Sequence, residues 1–125
     1  MIPAAASMAL RILIFEAWTD LTRRLSLKLK ALGYDVATTF TGGTAVKLAE
    51  LFYPDAVILD LGTPEMHGYD VALPLRETFG AGMTIIGISA DGTAADRRRS
   101  KETGCNHHLL KPANPGELHR LLQAC

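Results

Sequence analysis

The stretch Pro54-Asp55-Ala56-Val57-Ile58-Leu59-Asp60 decides the fold. Four consecutive apolar residues, bounded by a proline and a carboxylate, are the pattern of a short strand covered on both faces. Strands of that kind belong inside a parallel sheet flanked by helices. Working outward, Ile12-Leu13-Ile14-Phe15 repeats the pattern and runs into Glu16. Met83 to Ile88 repeats it again and runs into Ser89, and the shorter His107-His108-Leu109-Leu110 runs into Lys111. Tyr34 to Thr39 reads as the remaining strand.

Between these runs the hydrophobic period becomes helical. Leu21, Leu25, Leu29 and Leu32 recur at helix spacing, with Asp20 expected as the N-cap and Gly33 as the stop. Gly42-Gly43 opens a second helix with Ala45, Leu48, Ala49 and Phe52 on one face, and Pro54 ends it. Tyr69 to Phe79 is a third, which Pro74 should kink by removing one backbone hydrogen bond. Thr93, with Asp96 three residues on, resembles a capping box and starts a fourth helix through Thr103. Leu118, Leu121, Leu122 and Cys125 mark the apolar face of the last. Alternating strands and helices predict an α/β fold, a five-stranded parallel sheet flanked by five helices with right-handed crossovers. The strand order 2-1-3-4-5 puts the first and third strands together at a switch point, where ligands bind beyond the carboxyl ends.

A chain of 125 residues is one domain; residues 1–9 are expected as a tail and 10–125 as the folded unit. Thirteen basic and 13 acidic side chains cancel, so there is no global field to attract nucleic acid or an anionic membrane. No apolar run reaches the roughly 18 residues of a membrane helix. Cys105 and Cys125 are too few and too unpatterned for a disulfide scaffold or a metal knuckle, which points to free thiols and a cytoplasmic protein.

The predicted topology delivers Glu16, Asp60, Ser89 and Lys111 to one crevice. Each alone is commonplace; four chemically compatible residues at four strand ends are not. An aspartate can act as a nucleophile toward phosphorus, a lysine and a hydroxyl can hold phosphoryl oxygens, and a divalent ion on oxygen ligands can screen the charge. Residues 11 to 122 resemble a bacterial response-regulator receiver domain. The resemblance is carried by Arg11-Ile12-Leu13-Ile14-Phe15-Glu16, Gly33-Tyr34-Asp35-Val36, Pro54 to Asp60, Pro64-Glu65-Met66-His67-Gly68-Tyr69, Ile88-Ser89-Ala90 and Lys111-Pro112. The segments from Asp96 to Ser100 and from Gly104 to Pro112 are similar to receivers fused to hybrid histidine kinases.

The resemblance implies a flavodoxin-like receiver fold and a role for each residue. Asp60 is the implied phosphoacceptor; Glu16, Asp60 and the carbonyl of Gly62 are the implied Mg2+ ligands. Ser89 and Lys111 would hold the phosphoryl group, with a cis peptide at Lys111-Pro112. His108 stands where the family carries an aromatic switch residue, which would report the state of Ser89 to the face of the fourth helix, fifth strand and last helix. The implied partner is a histidine kinase or phosphotransfer protein, with no nucleic acid by itself and no membrane; a homodimer through the last strand and helix is left open.

One departure matters. The family carries two adjacent acids after the first strand, and here the second is Ala17. Losing a carboxylate from a hard-cation site weakens Mg2+ binding, so a pseudo-receiver that binds partners without phosphorylation is the competing reading. A small α/β enzyme or flavin binder is a third, disfavoured because no phosphate-cradling glycine loop occurs and Gly42-Gly43 is too sparse for one. Ser89 lacks a nucleophile-elbow sequence. His107 and His108 point to opposite faces of a strand, and His67 and His119 lie elsewhere, so the histidines form no metal site. The basic run Arg97-Arg98-Arg99 with Lys101 reads first as a solvated face.

Overall fold

The computed structural model describes residues 9–16, 19–61 and 68–125. Five strands alternate with five helices: β1 Arg11–Phe15, α1 Asp20–Ala31, β2 Asp35–Thr39, α2 Gly42–Phe52, β3 Ala56–Asp60, α3 Gly68–Phe79, β4 Thr84–Ser89, α4 Ala94–Glu102, β5 His107–Leu110 and α5 Pro115–Leu122. A short 3-10 turn at Gly80–Gly82 joins α3 to β4. All strand pairs are parallel, in the order β2-β1-β3-β4-β5.

Side-chain alternation splits the core into two layers. Leu13, Phe15, Val57, Leu59 and Ile85 point to one face and meet Ala45, Ala49, Ala72 and Leu75 of α2 and α3. Ile12, Ile14, Ile58, Ile86 and Ile88 point to the other and meet Leu25, Leu29, Leu118 and Leu122 of α1 and α5. That two-sided burial is why the central strands read as unbroken apolar runs, whereas β2 and β5 at the sheet edges are only half-buried.

The helix ends refine the sequence reading. Thr19, not Asp20, caps α1: its Oγ accepts the N–H of Thr22, and Asp20 becomes the first helical residue, where its charge suits the helix dipole. The buried face of α1 is Thr22, Leu25, Ser26 and Leu29, while Leu21 is 61% and Leu32 41% exposed. Leucine spacing alone therefore misplaced the ends of that stripe. Gly33 follows α1 at φ 100, a left-handed turn that favours glycine. Helix α2 stops one residue before Pro54, at Tyr53 with φ 53. Thr93 caps α4 by accepting the Asp96 N–H at 3.1 Å. Helix α3 is continuous through Pro74. At the end of α5, Cys125 lies exposed, its Sγ 3.3 Å from Thr84 Oγ, so it is not part of the buried face.

Arg76 on α3 holds two connections together. Its Nη1 donates to the carbonyls of Gly80 (2.7 Å) and Met83 (2.6 Å). Its Nε and Nη2 donate to Gly104 O (3.2 and 2.7 Å), and Nη2 also donates to Asn106 Oδ1 (2.8 Å). Asn106 Oδ1 in turn accepts the Ile85 N–H at 2.7 Å. One guanidinium thus satisfies the α3–β4 turn and the α4–β5 turn at once, using the fork geometry only arginine has. Arg76→Met, which keeps the stem and removes the donors, should lower stability by about 3 kcal/mol in urea denaturation without changing the fold, because charge-assisted bonds to otherwise orphaned carbonyls are lost.

Candidate functional site

Backbone hydrogen bonds extend the sheet by one residue at several strand ends and so set the positions of the side chains beyond it. Glu16 N donates to Thr39 O at 3.1 Å, Leu61 N to Ile88 O at 2.8 Å, and Lys111 N to Ser89 O at 2.8 Å. Asp60 closes β3 directly opposite Ile88 of β4, and Ser89 closes β4 opposite Leu110. Gly68, the first residue of α3, packs its backbone against this point: a Cβ there would stand 2.3 Å from the Asp60 carbonyl oxygen, so only glycine lets α3 approach.

The centre of the site is an ion pair. Asp60, only 1% exposed, has Oδ1 at 2.7 Å from Lys111 Nζ. The lysine comes from the connection after β5, whose Lys111-Pro112 peptide is cis, as the resemblance to receiver domains implied. Glu16 joins from the end of β1, and burial raises its pKa above the usual carboxylate range. The hydrogen bond from Thr22 pulls it down, the Asp60 charge pushes it up and Lys111 pulls it down again. Thr22 Oγ donates to Glu16 Oε2 from the first turn of α1. A cleft of about 900 Å³ opens onto this group between α1 and the β5–α5 connection. Its walls include Leu21, Leu25, Pro112 and Pro115, with Glu16, Asp60 and Lys111 among its lining.

Ser89 is turned to a different set of partners. Its hydroxyl donates to Asp91 O at 2.8 Å and lies 2.7 Å from His108 Nε2. A serine has one proton, so with that proton on Asp91 the imidazole must be the donor in the second bond. His108 is therefore the neutral Nε2–H tautomer, and its Nδ1 is a buried acceptor with no hydrogen-bond partner among the described residues. Burial, reinforced by the Arg97 charge and opposed by Asp96, lowers the His108 pKa. His107 on the same strand is exposed, as the alternation of a strand requires.

Glu16, Asp60 and Lys111 thus meet in one pocket, while Ser89 and His108 pair beside it. Gly62, Ala17, Trp18 and His67 lie outside the described residues. His119 serves structure: its Nδ1 is 2.7 Å from the Tyr34 hydroxyl and the rings meet edge-on. Among the described residues no cluster of three or more His, Cys, Asp and Glu side chains forms. The two carboxylates are nonetheless hard oxygen donors beside a single lysine, a donor set that suits a small divalent ion completing its shell with water. Thr22 is the site residue that sequence reasoning missed. The signal was present: Thr19 and Thr22, three apart at a helix start, can bridge hydroxyls on one turn.

Comparison with known proteins bears on this geometry. The model of the response regulator receiver domain family matches residues 12–123. The probable transcriptional regulator ycf27 of Cyanophora paradoxa is 32% identical over 114 residues, covering 91% of this chain and 47% of that protein. The transcriptional regulatory protein KdpE of Mycobacterium tuberculosis is 34% identical over 113 residues, covering 90% and 49%. The chain spans about half the length of these relatives. Among solved structures, a CheY-like receiver domain protein from Methanospirillum hungatei superposes with a TM-score of 0.84 at 22% identity, covering 93% of this chain and 92% of that one. A putative response regulator from Chloroflexus aurantiacus gives 0.83 at 26%, covering 93% and 96%. A family pattern that runs through all five strands, on the same parallel sheet, makes this chain a member of the response-regulator receiver domains of two-component signalling.

Proposed function

We propose that Asp60 accepts a phosphoryl group from a phosphohistidine on a histidine kinase or phosphotransfer protein, and that the new charge is read out through Ser89 and His108. The observation that carries this reading is the buried Asp60 carboxylate in contact with Lys111 at the open end of the cleft. One carboxylate oxygen attacks phosphorus; the O–P bond forms as the N–P bond breaks, and that electron pair leaves with the donor imidazole. The product is a mixed anhydride on Asp60. Lys111, already at the attacking group, pairs with the phosphoryl oxygens as a mobile point charge. Mg2+ held by Glu16 and Asp60, with the Gly62 carbonyl as a third ligand, would supply further neutralisation of phosphoryl charge. The apolar walls of the cleft suit the side of a donor helix presenting its histidine toward Asp60.

The signal then depends on exchanging hydrogen bonds. To reach a phosphoryl oxygen, the Ser89 hydroxyl gives up Asp91 O, and His108 loses the acceptor that holds its ring. Release of that ring changes the surface of α4, β5 and α5, a population shift between two arrangements. The protein acts as a cytoplasmic regulatory module that turns over only its own phosphate. No described helix is long and apolar enough to cross a membrane.

Incubation with a small phosphodonor and Mg2+ should add one phosphoryl group by intact mass, and Asp60→Asn should add none. Lys111→Met should slow labelling on the order of a hundredfold, the scale of removing one preorganised charge-stabilising donor. Absence of any mass shift across a wide Mg2+ range would favour the phosphorylation-independent reading that Ala17 raises.

The pH dependence has a definite sign. The folded state holds His108 neutral to a lower pH than the unfolded chain does. The unfolded chain therefore binds more protons as pH falls through about 6.5, and stability is lost in that window while it is fully present above it. His108→Phe should flatten this acid limb between about pH 7 and 5 in urea titrations. An unchanged limb would place the proton uptake on another group.

A further inference from the structure

The first turn of α1 is built around two threonines. Thr19 Oγ accepts the N–H of Thr22 at 3.2 Å, and the two hydroxyls lie 3.2 Å apart. Thr22, only 1% exposed, donates through Oγ to Glu16 Oε2. Threonine is a middling helix former, and burying its hydroxyl costs free energy unless that hydroxyl is bonded. Thr22 shares the buried face of α1 with Leu25, Ser26 and Leu29, so its hydroxyl needs polar partners there. Glu16, from the end of β1, is one of those partners.

Glutamate carries one more rotatable bond than aspartate, and fixing a long side chain costs up to about 2 kcal/mol of rotamer entropy. Thr22 holds one carboxylate oxygen of Glu16, and Glu16 lines the pocket that it shares with Asp60 and Lys111. Ligands of hard cations are held in this way by partners that do not touch the ion.

We propose that Thr22 is a positioning residue for the divalent-ion pocket: its hydroxyl orients the Glu16 carboxylate, so that a single longer acid serves where the neighbouring position is Ala17. The inference rests on the phosphoacceptor reading of this pocket. It assigns the role of the absent second acid partly to α1, an element whose contribution cannot be seen in the strand-end motif.

The test is equilibrium Mg2+ binding by the full chain, followed by fluorescence of the single Trp18 and by the amide shift of Asp60. Thr22→Val and Thr22→Ala should each weaken Mg2+ binding by about tenfold, the scale reported when an outer-shell partner is removed. Thr22→Ser, which restores the hydroxyl alone, should bind Mg2+ as the unmodified chain does. Thermal unfolding without metal identifies which of the two hydroxyl-free variants keeps the fold, and that variant decides the question. Unmodified affinity in it, or absence of Mg2+ binding by the unmodified chain, overturns the inference. Intact mass after phosphodonor treatment separates the two levels: labelling of Asp60 in the unmodified chain, with Mg2+ affinity indifferent to Thr22, leaves the phosphoacceptor reading standing and removes only the role of Thr22.

Discussion

The Asp60 carboxylate is buried at the end of the central strand of a sheet covered on both faces, and that burial requires a cation in contact with it. Lys111 provides the cation at 2.7 Å. Much of the architecture serves to bring this pair together across a sequence separation of about fifty residues. β3 delivers the acid, β4 lies between, and the connection after β5 returns the lysine over the top. The bond from Lys111 N to Ser89 O fixes where the lysine leaves the sheet, and the cis Lys111-Pro112 peptide follows at once. Gly68 lets α3 begin against the Asp60 backbone, leaving the side chain to face the cleft.

Around that pair the polar groups fall into two sets. Glu16 and Thr22 lie toward α1 and bear on charge and cation binding. Ser89 and His108 lie toward α4 and β5 and, in the proposed function, would carry the signal. Asp60 and Lys111 stand between the two sets, with Lys111 N bonded to Ser89 O and Glu16 lining the same cleft. In the proposed function, a phosphoryl group on Asp60 would be large and charged enough to draw Ser89 away from Asp91 and His108, and this would give the switch its physical content. A histidine in this position adds a feature that a carbocyclic aromatic ring lacks. Among the described residues its buried Nδ1 has no hydrogen-bond partner, and burial favours the neutral ring.

Structural support comes from residues with no part in the chemistry. Arg76 and Asn106 tie together the turns that lead into β4 and β5, at the opposite end of the strands from the cleft, and Tyr34 with His119 joins the start of β2 to α5. The two bonds between Asn106 and the Ile85 backbone help to hold β4 and β5 in register, and the register is what places Ser89 and Lys111 side by side. A loss at Arg76 would therefore be felt as stability first and as site geometry second.

Much of this was written locally in the chain. Continuous apolar runs specify strands buried on both faces, and the polar residues Glu16, Asp60, Ser89 and Lys111 stand at or just past their carboxyl ends, where the sheet opens to the crevice. Thr93 was legible as a cap because capping is a contact between residues three apart. The cap of α1 was assigned to the wrong neighbour, and the leucine stripe on it ran too far, since burial at a helix end depends on what packs beyond it. Arg76 could not be found from sequence, because its acceptors are backbone carbonyls and every residue type has one. Thr22 and the Ser89–His108 bond also depended on three dimensions. Sequence alone determined which groups arrive at the crevice; only the folded packing decided which way each side chain turns, because that choice is made by partners distant in the chain competing for the same few protons.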